Sequence, residues 1–119
     1  MIGIDIVEVE RMAHSAENEA FVRKVFTLEE IRYYEEGGKS VQTLAGMFAA
    51  KEAIVKAIGT GFAGIDYLDV EIRHSLGGKP EAVLFRGARS LLGARKVEIS
   101  ISHEKRYAVA SALLTDEKA

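Results

Sequence analysis

The sequence predicts an α+β domain, a mainly antiparallel sheet packed with a long central helix. Three observations point to it. Residues 41–58 form an apolar run whose only charges are Lys51, Glu52 and Lys56, with Val41, Leu44, Phe48 and Val55 at helical spacing. Leu68, Val70 and Ile72 alternate with Asp69, Glu71 and Arg73, the pattern of a half-exposed strand. Val97, Ile99 and Ile101 mark a further strand, with residues 107–114 as its antiparallel neighbour across residues 103–106. Helices grouped against antiparallel strands define the class.

Each element has its own signals. Residues 2–9 are short, β-branched and apolar on both alternating faces, which predicts a buried strand. Residues 17–26 read as one helix. The next helix is bounded by Thr27 and Glu30 in capping-box spacing and by Gly37 and Gly38 as a stop. Ser40 is the expected N-cap of the long helix, and Gly59 its end. The stretch LGGKP, residues 76–80, is a turn, so residues 81–85 return as a hairpin partner. Residues 86–94 read as a short helix. No repeat or linker interrupts residues 1–119, and one domain is expected.

Composition narrows the functional classes. A formal charge of −2 argues against a nucleic-acid partner, which favours a strong basic excess. The absence of cysteine excludes disulfides, thiolate zinc sites and a cysteine nucleophile, and fits a reducing cytoplasm. The N-terminus carries acids where a signal peptide needs basic residues. The charges of residues 41–58 each cost roughly 2.5–3.5 kcal/mol near a bilayer centre, so no membrane partner is expected.

Gly59, Gly61 and Gly64 match G-x-G-x-x-G, but they follow a helix instead of opening one, so a C-cap and loop is the expectation. Glu52 lies four residues after Phe48 and three before Val55, and so projects from the apolar stripe. Its plain explanation is an ion pair with Lys56 at i,i+4 spacing. Asp5 adds a second carboxylate in an apolar setting, flanked by Ile4 and Ile6 and sharing a face with Gly3, Val7 and Val9, with no easy route to water on either face. Two such acids, one on a strand and one on a helix packed against it, form a candidate magnesium site, since magnesium takes one or two protein carboxylates, waters and phosphate oxygens. Lys56 can then reach a phosphate from the helical face of Glu52. The structural alternatives stand beside these: His103 as a turn residue, Lys79 and Pro80 as a hairpin turn, and Arg11, Arg23 and Lys24 as solvated charges. His14 and His74 are read as structural.

With those residues in view, the sequence resembles a known family. GIDIVEVERM (3–12), FAAKEAIVKAIGTG (48–61) and SISHEKRYAVA (100–110) are similar to the three signature blocks of the holo-acyl-carrier-protein synthases, the short bacterial class of 4′-phosphopantetheinyl transferases. The resemblance implies that family's fold, and transfer of the 4′-phosphopantetheine arm of coenzyme A to a serine of apo-acyl carrier protein, releasing adenosine 3′,5′-bisphosphate. It also implies Asp5 and Glu52 as magnesium ligands, Lys56 as a contact to coenzyme A phosphate and His103 at the coenzyme A site. Gly59, Thr60, Gly61, Lys79 and Pro80 would line the nucleotide. Arg11, with Arg23 and Lys24 of the next helix, would meet the acidic carrier protein. A homotrimer with active sites at subunit interfaces is implied as well. Many relatives read Gly-Arg-Phe where this chain has Gly46, Met47 and Phe48, so one cationic phosphate contact is missing, and Lys39 or another lysine is the candidate replacement.

The mechanism so implied is magnesium-assisted phosphoryl transfer with catalytic Asp5, Glu52 and Lys56, aided by alignment of two large substrates. The serine proton would pass to a metal-ordered water or to Glu52. A non-catalytic module that binds coenzyme A or carrier protein is the alternative; it would not need two buried carboxylates. A magnesium-dependent phosphotransferase with another substrate is a third.

Overall fold

The computed structural model describes residues 1–116. β1 (Ile2–Glu8) runs directly into α1 (Val9–Ser15), so Val9 opens a helix instead of ending the strand, and its N–H donates to the Arg106 carbonyl at 2.9 Å. α2 (Glu19–Val25) is shorter than expected because the Asn18 side chain caps it, accepting from the Ala20 and Phe21 N–H groups at 2.9 and 3.2 Å. α3 (Leu28–Glu36) carries the expected reciprocal box between Thr27 and Glu30. α4 (Val41–Ile58) starts at Ser40, whose hydroxyl accepts from Thr43 N–H, and stops at Gly59 in the left-handed region, φ 92°.

Beyond the loop, a single 3₁₀ turn (Tyr67–Asp69) leads into β2 (Val70–His74) and β3 (Pro80–Leu84), followed by α5 (Arg86–Leu92), β4 (Lys96–His103) and β5 (Tyr107–Thr115). Leu68 lies in the turn and not in a strand, because the Asp66 and Asp69 carboxylates cap that turn reciprocally. β2 is not half-exposed either: Val70, Glu71 and Ile72 are all buried beneath the helices.

β1, β5 and β4 form one antiparallel sheet in that order, with Asp5 opposite Ala110 and His103 opposite Ala108, while β2 and β3 pair separately. α4 crosses the three-stranded sheet. Small residues make this approach close: Ala108, Ala110 and Ala112 of β5 and Ala49, Ala53 and Ala57 of α4 are all buried. At Gly3 a Cβ would overlap the Ala53 carbonyl oxygen and lie 2.7 Å from Ala57 N, so only glycine lets β1 meet the helix backbone. Asp5, two residues on, therefore shares the strand face that meets α4. The opposite face is open, contrary to the expectation of a doubly buried strand: Ile2, Ile4 and Ile6 are 72%, 63% and 62% exposed, with Leu113 beside them at 42%.

A buried ion pair joins the layers. Lys51 Nζ lies 2.7 Å from Glu30 Oε1, and both side chains are fully buried. Lys51 also donates to the Tyr67 and Val70 carbonyls at 2.9 and 2.6 Å, while Glu30 accepts from Thr27 and Ile72 N–H groups. Burial pushes the Glu30 carboxyl up and the Lys51 ammonium down in pKa, and the charge of each partner opposes that shift.

Candidate active site

The close packing of β1 on α4 brings Asp5 and Lys56 together. Lys56 Nζ lies 2.9 Å from Asp5 Oδ1 and donates to the Ile4 carbonyl at 3.1 Å. The Asp5 side chain is 17% exposed and that of Lys56 55%. Lys56 thus serves Asp5 and not Glu52, so the expected i,i+4 pair is replaced by a contact between strand and helix. One turn earlier on α4, half-buried Glu52 accepts a hydrogen bond from the Tyr67 hydroxyl at 2.8 Å.

Tyr67 links the two acids electrostatically. Its pKa is pushed well above the ordinary tyrosine value by burial first, then by the hydrogen bond to Glu52, then by the negative charges of Glu52 and Asp5. Its hydroxyl therefore keeps its proton and remains a donor. Phe48 and Phe62 hold the ring at centroid separations of 5.7 and 4.4 Å.

The donor set suits a hard divalent cation. Asp5 and Glu52 offer carboxylate oxygens, the donors such a cation prefers, and here the Lys56 ammonium lies on Asp5 Oδ1. Among the described residues no group of three or more His, Cys, Asp or Glu side chains could hold a metal. An ion here would have two protein ligands and fill its shell with water and substrate oxygens, as magnesium does.

The remaining candidates fall into separate places. Gly59, Thr60 and Gly61 form an exposed loop at the C-terminal end of α4, with Gly59 and Gly61 at positive φ, so the G-x-G-x-x-G match is a helix cap and loop. His103 closes β4 near the other end of the helix. Its Nδ1 lies 2.9 Å from Gln42 Oε1, and a Cβ at Gly46 would sit 3.8 Å from its Cδ2. From Gly46 to Lys56 the helix rises about 15 Å, so one chain does not bring His103 into the Asp5–Lys56 cluster. Lys79 and Pro80 border a cleft of about 750 Å³ between β3, β4 and α5. Arg11 is exposed on α1 in a groove it shares with Glu8, Glu10 and Glu17. Arg23 is exposed but paired with Glu19 at 3.1 Å, and Lys24 is exposed beside it. Met47 is fully buried, so position 47 contributes packing and no surface contact; Lys39 is exposed, in a left-handed conformation before α4.

The sequence did not single out Tyr67, Gln42 or Glu30. Glu30 is marked in the sequence only as a cap, and the other two lie outside any motif. An aromatic residue with a hydroxyl just before an alternating strand was the one available hint of Tyr67.

A family model described as the 4′-phosphopantetheinyl transferase superfamily matches residues 1–115. The chain is 44% identical over 118 residues to the holo-acyl-carrier-protein synthase of Alkaliphilus metalliredigens, covering 96% of this chain and 97% of that protein. The Helicobacter pylori holo-acyl-carrier-protein synthase, solved in complex with coenzyme A, superposes with a TM-score of 0.86 at 28% identity, covering 97% of this chain and all of that one (100%). The Neisseria meningitidis holo-acyl-carrier-protein synthase gives a TM-score of 0.87 at 33% identity, over 97% of each chain.

Proposed function

We infer the function from a plain premise: the chain belongs to the 4′-phosphopantetheinyl transferase superfamily. It is an enzyme that transfers the 4′-phosphopantetheine group of coenzyme A to a serine of apo-acyl carrier protein and releases adenosine 3′,5′-bisphosphate. The observation that carries the reading is the meeting of Asp5 and Lys56 across β1 and α4, one helical turn from Glu52, in a chain with such relatives.

In this reading Asp5, Glu52 and Lys56 are the catalytic residues. Asp5 and Glu52 would hold magnesium, which when bound would neutralise charge on the diphosphate. Lys56 has a flexible stem and a largely exposed side chain, so its ammonium turns from Asp5 to a substrate phosphate. The amides of Gly59, Thr60 and Gly61 donate to coenzyme A, and His103, Lys79 and Pro80 complete its binding. The serine Oγ of the carrier forms a bond to the phosphorus on the pantetheine side. The bond from that phosphorus to the departing bisphosphate breaks, and the serine proton leaves to water.

The assembly we propose is a homotrimer with active sites between subunits. The exposed apolar face of Ile2, Ile4, Ile6 and Leu113 supports an interface, and the separation of His103 from Asp5 supports a site shared between chains. Arg11, Arg23 and Lys24 meet the acidic carrier. Residues 1–119 act as one domain, in the cytoplasm, in fatty acid synthesis. Among the described residues no helix is long and apolar enough to cross a membrane.

Incubation with apo-carrier, coenzyme A and magnesium, followed by the intact mass of the carrier, tests the reading. The carrier gains one phosphopantetheine. A carrier that binds but gains no mass would identify a non-catalytic module instead.

A further inference from the structure

We propose that Tyr67 is a positioning residue of the transfer site: its hydroxyl fixes the Glu52 carboxylate in the orientation that receives the cation. The inference rests on Asp5 and Glu52 being the protein ligands of that cation.

The geometry around Tyr67 is built for a fixed donor. Its hydroxyl reaches Glu52 Oε1 at 2.8 Å. Its ring is held between Phe48 and Phe62, with centroids at 5.7 and 4.4 Å. Its backbone is held as well, since the fully buried Lys51 donates to the Tyr67 carbonyl at 2.9 Å and to the Val70 carbonyl at 2.6 Å, and is itself paired with Glu30. A long carboxylate side chain on a helix surface samples several rotamers; one fixed oxygen removes that freedom before the ion arrives.

The chemistry of the donor matters as much as its position. Asp5 is met by a cation, Lys56, whereas Glu52 is met by a neutral hydroxyl. A lysine or arginine at residue 67 would orient Glu52 equally well but cancel its charge. A phenol orients the carboxylate and leaves its full negative charge for a divalent ion. Outer partners of this kind, bonded to a ligand and not to the metal, typically change metal affinity or activity by about 10–100-fold when removed.

Tyr67→Phe keeps the ring and its two aromatic neighbours and deletes only the hydroxyl. Binding of Mn²⁺ to the substrate-free protein, followed by its paramagnetic resonance signal, should weaken by about 10–100-fold, with kcat falling in the same range and KM for the carrier unchanged. In a Glu52→Gln background the same change should add no further loss, because it acts through Glu52. Wild-type Mn²⁺ affinity in Tyr67→Phe, an additive loss in the double variant, or a Tyr67→Phe chain that does not fold would each overturn the proposal. A wild-type protein that binds no Mn²⁺ and modifies its carrier without any divalent cation would instead remove the premise about Asp5 and Glu52, and the role of Tyr67 with it.

Discussion

Replacing Lys51 with methionine probes the join between helices, sheet and site. Lys51→Met keeps an apolar stem of similar length and deletes the ammonium. Glu30 is then left fully buried with only the Thr27 and Ile72 N–H groups as donors, and the Tyr67 and Val70 carbonyls each lose the lysine as a donor, the Tyr67 carbonyl keeping the Val70 N–H. Removing one partner of a buried pair costs about 3–5 kcal/mol, because the other charge remains uncompensated. The hydrogen bonds lost at the two carbonyls add to that cost. Against a native stability of about 5–15 kcal/mol the variant keeps its fold but with little margin. With a urea slope of about 1–3 kcal/mol/M, the midpoint should fall by at least ~1 M, measured at fixed protein concentration. Adding Glu30→Gln removes the stranded charge, so the double variant should be more stable than Lys51→Met alone. A Lys51→Met loss below ~1 kcal/mol, or a further loss on adding Glu30→Gln, would refute the buried-pair reasoning.

Other predictions follow from single contacts. Gly3→Ala forces a methyl into the Ala53 carbonyl, so β1 must move off α4; a loss of about 1–3 kcal/mol or more in urea melts is expected, with reduced transfer because Asp5 moves too, and an unchanged melt contradicts the close approach. His74 stacks on Tyr33 at 4.0 Å, and its buried Nδ1 has no partner among the described residues, so burial lowers its pKa below 6.5. The unfolded chain then takes the proton first: this contribution to stability is complete above about pH 6.5 and is lost as pH falls toward the folded value. Urea melts at about pH 5 and 7.5 should show that slope in wild type and a flatter one in His74→Phe; equal slopes refute it. Ile4→Glu places a charge in the exposed apolar face and should break the proposed homotrimer into monomers by sedimentation, while an unchanged mass in solution removes that face from the proposed interface.

Much of the fold was legible because it is written in local chemistry. The Thr27–Glu30 box, the Ser40 cap and the Gly59 stop all act within a few residues, and they bound α3 and α4 as expected. What depends on tertiary packing was not legible. Alternation along β2 suggested an exposed face, yet Glu71 is buried and salt-bridged to Arg73 at 2.6 Å. Lys51 and Lys56 are alike in sequence context, but one is locked in the core by Glu30 and the other reaches across to Asp5. Asp5 and Glu52 drew attention as charges in apolar surroundings, which is a sequence property. Tyr67 did not, because a tyrosine before a strand looks ordinary until the loop brings its hydroxyl to Glu52.

The paired-acid site is tested most directly by Asp5→Ala. The variant should fold, since the ion-pair partner it leaves behind, Lys56, is largely exposed and can turn to water, and apo-carrier incubated with it, coenzyme A and magnesium should keep its original mass while the wild type converts it. Conversion by Asp5→Ala at close to the wild-type rate would contradict a catalytic site built on Asp5 and Glu52.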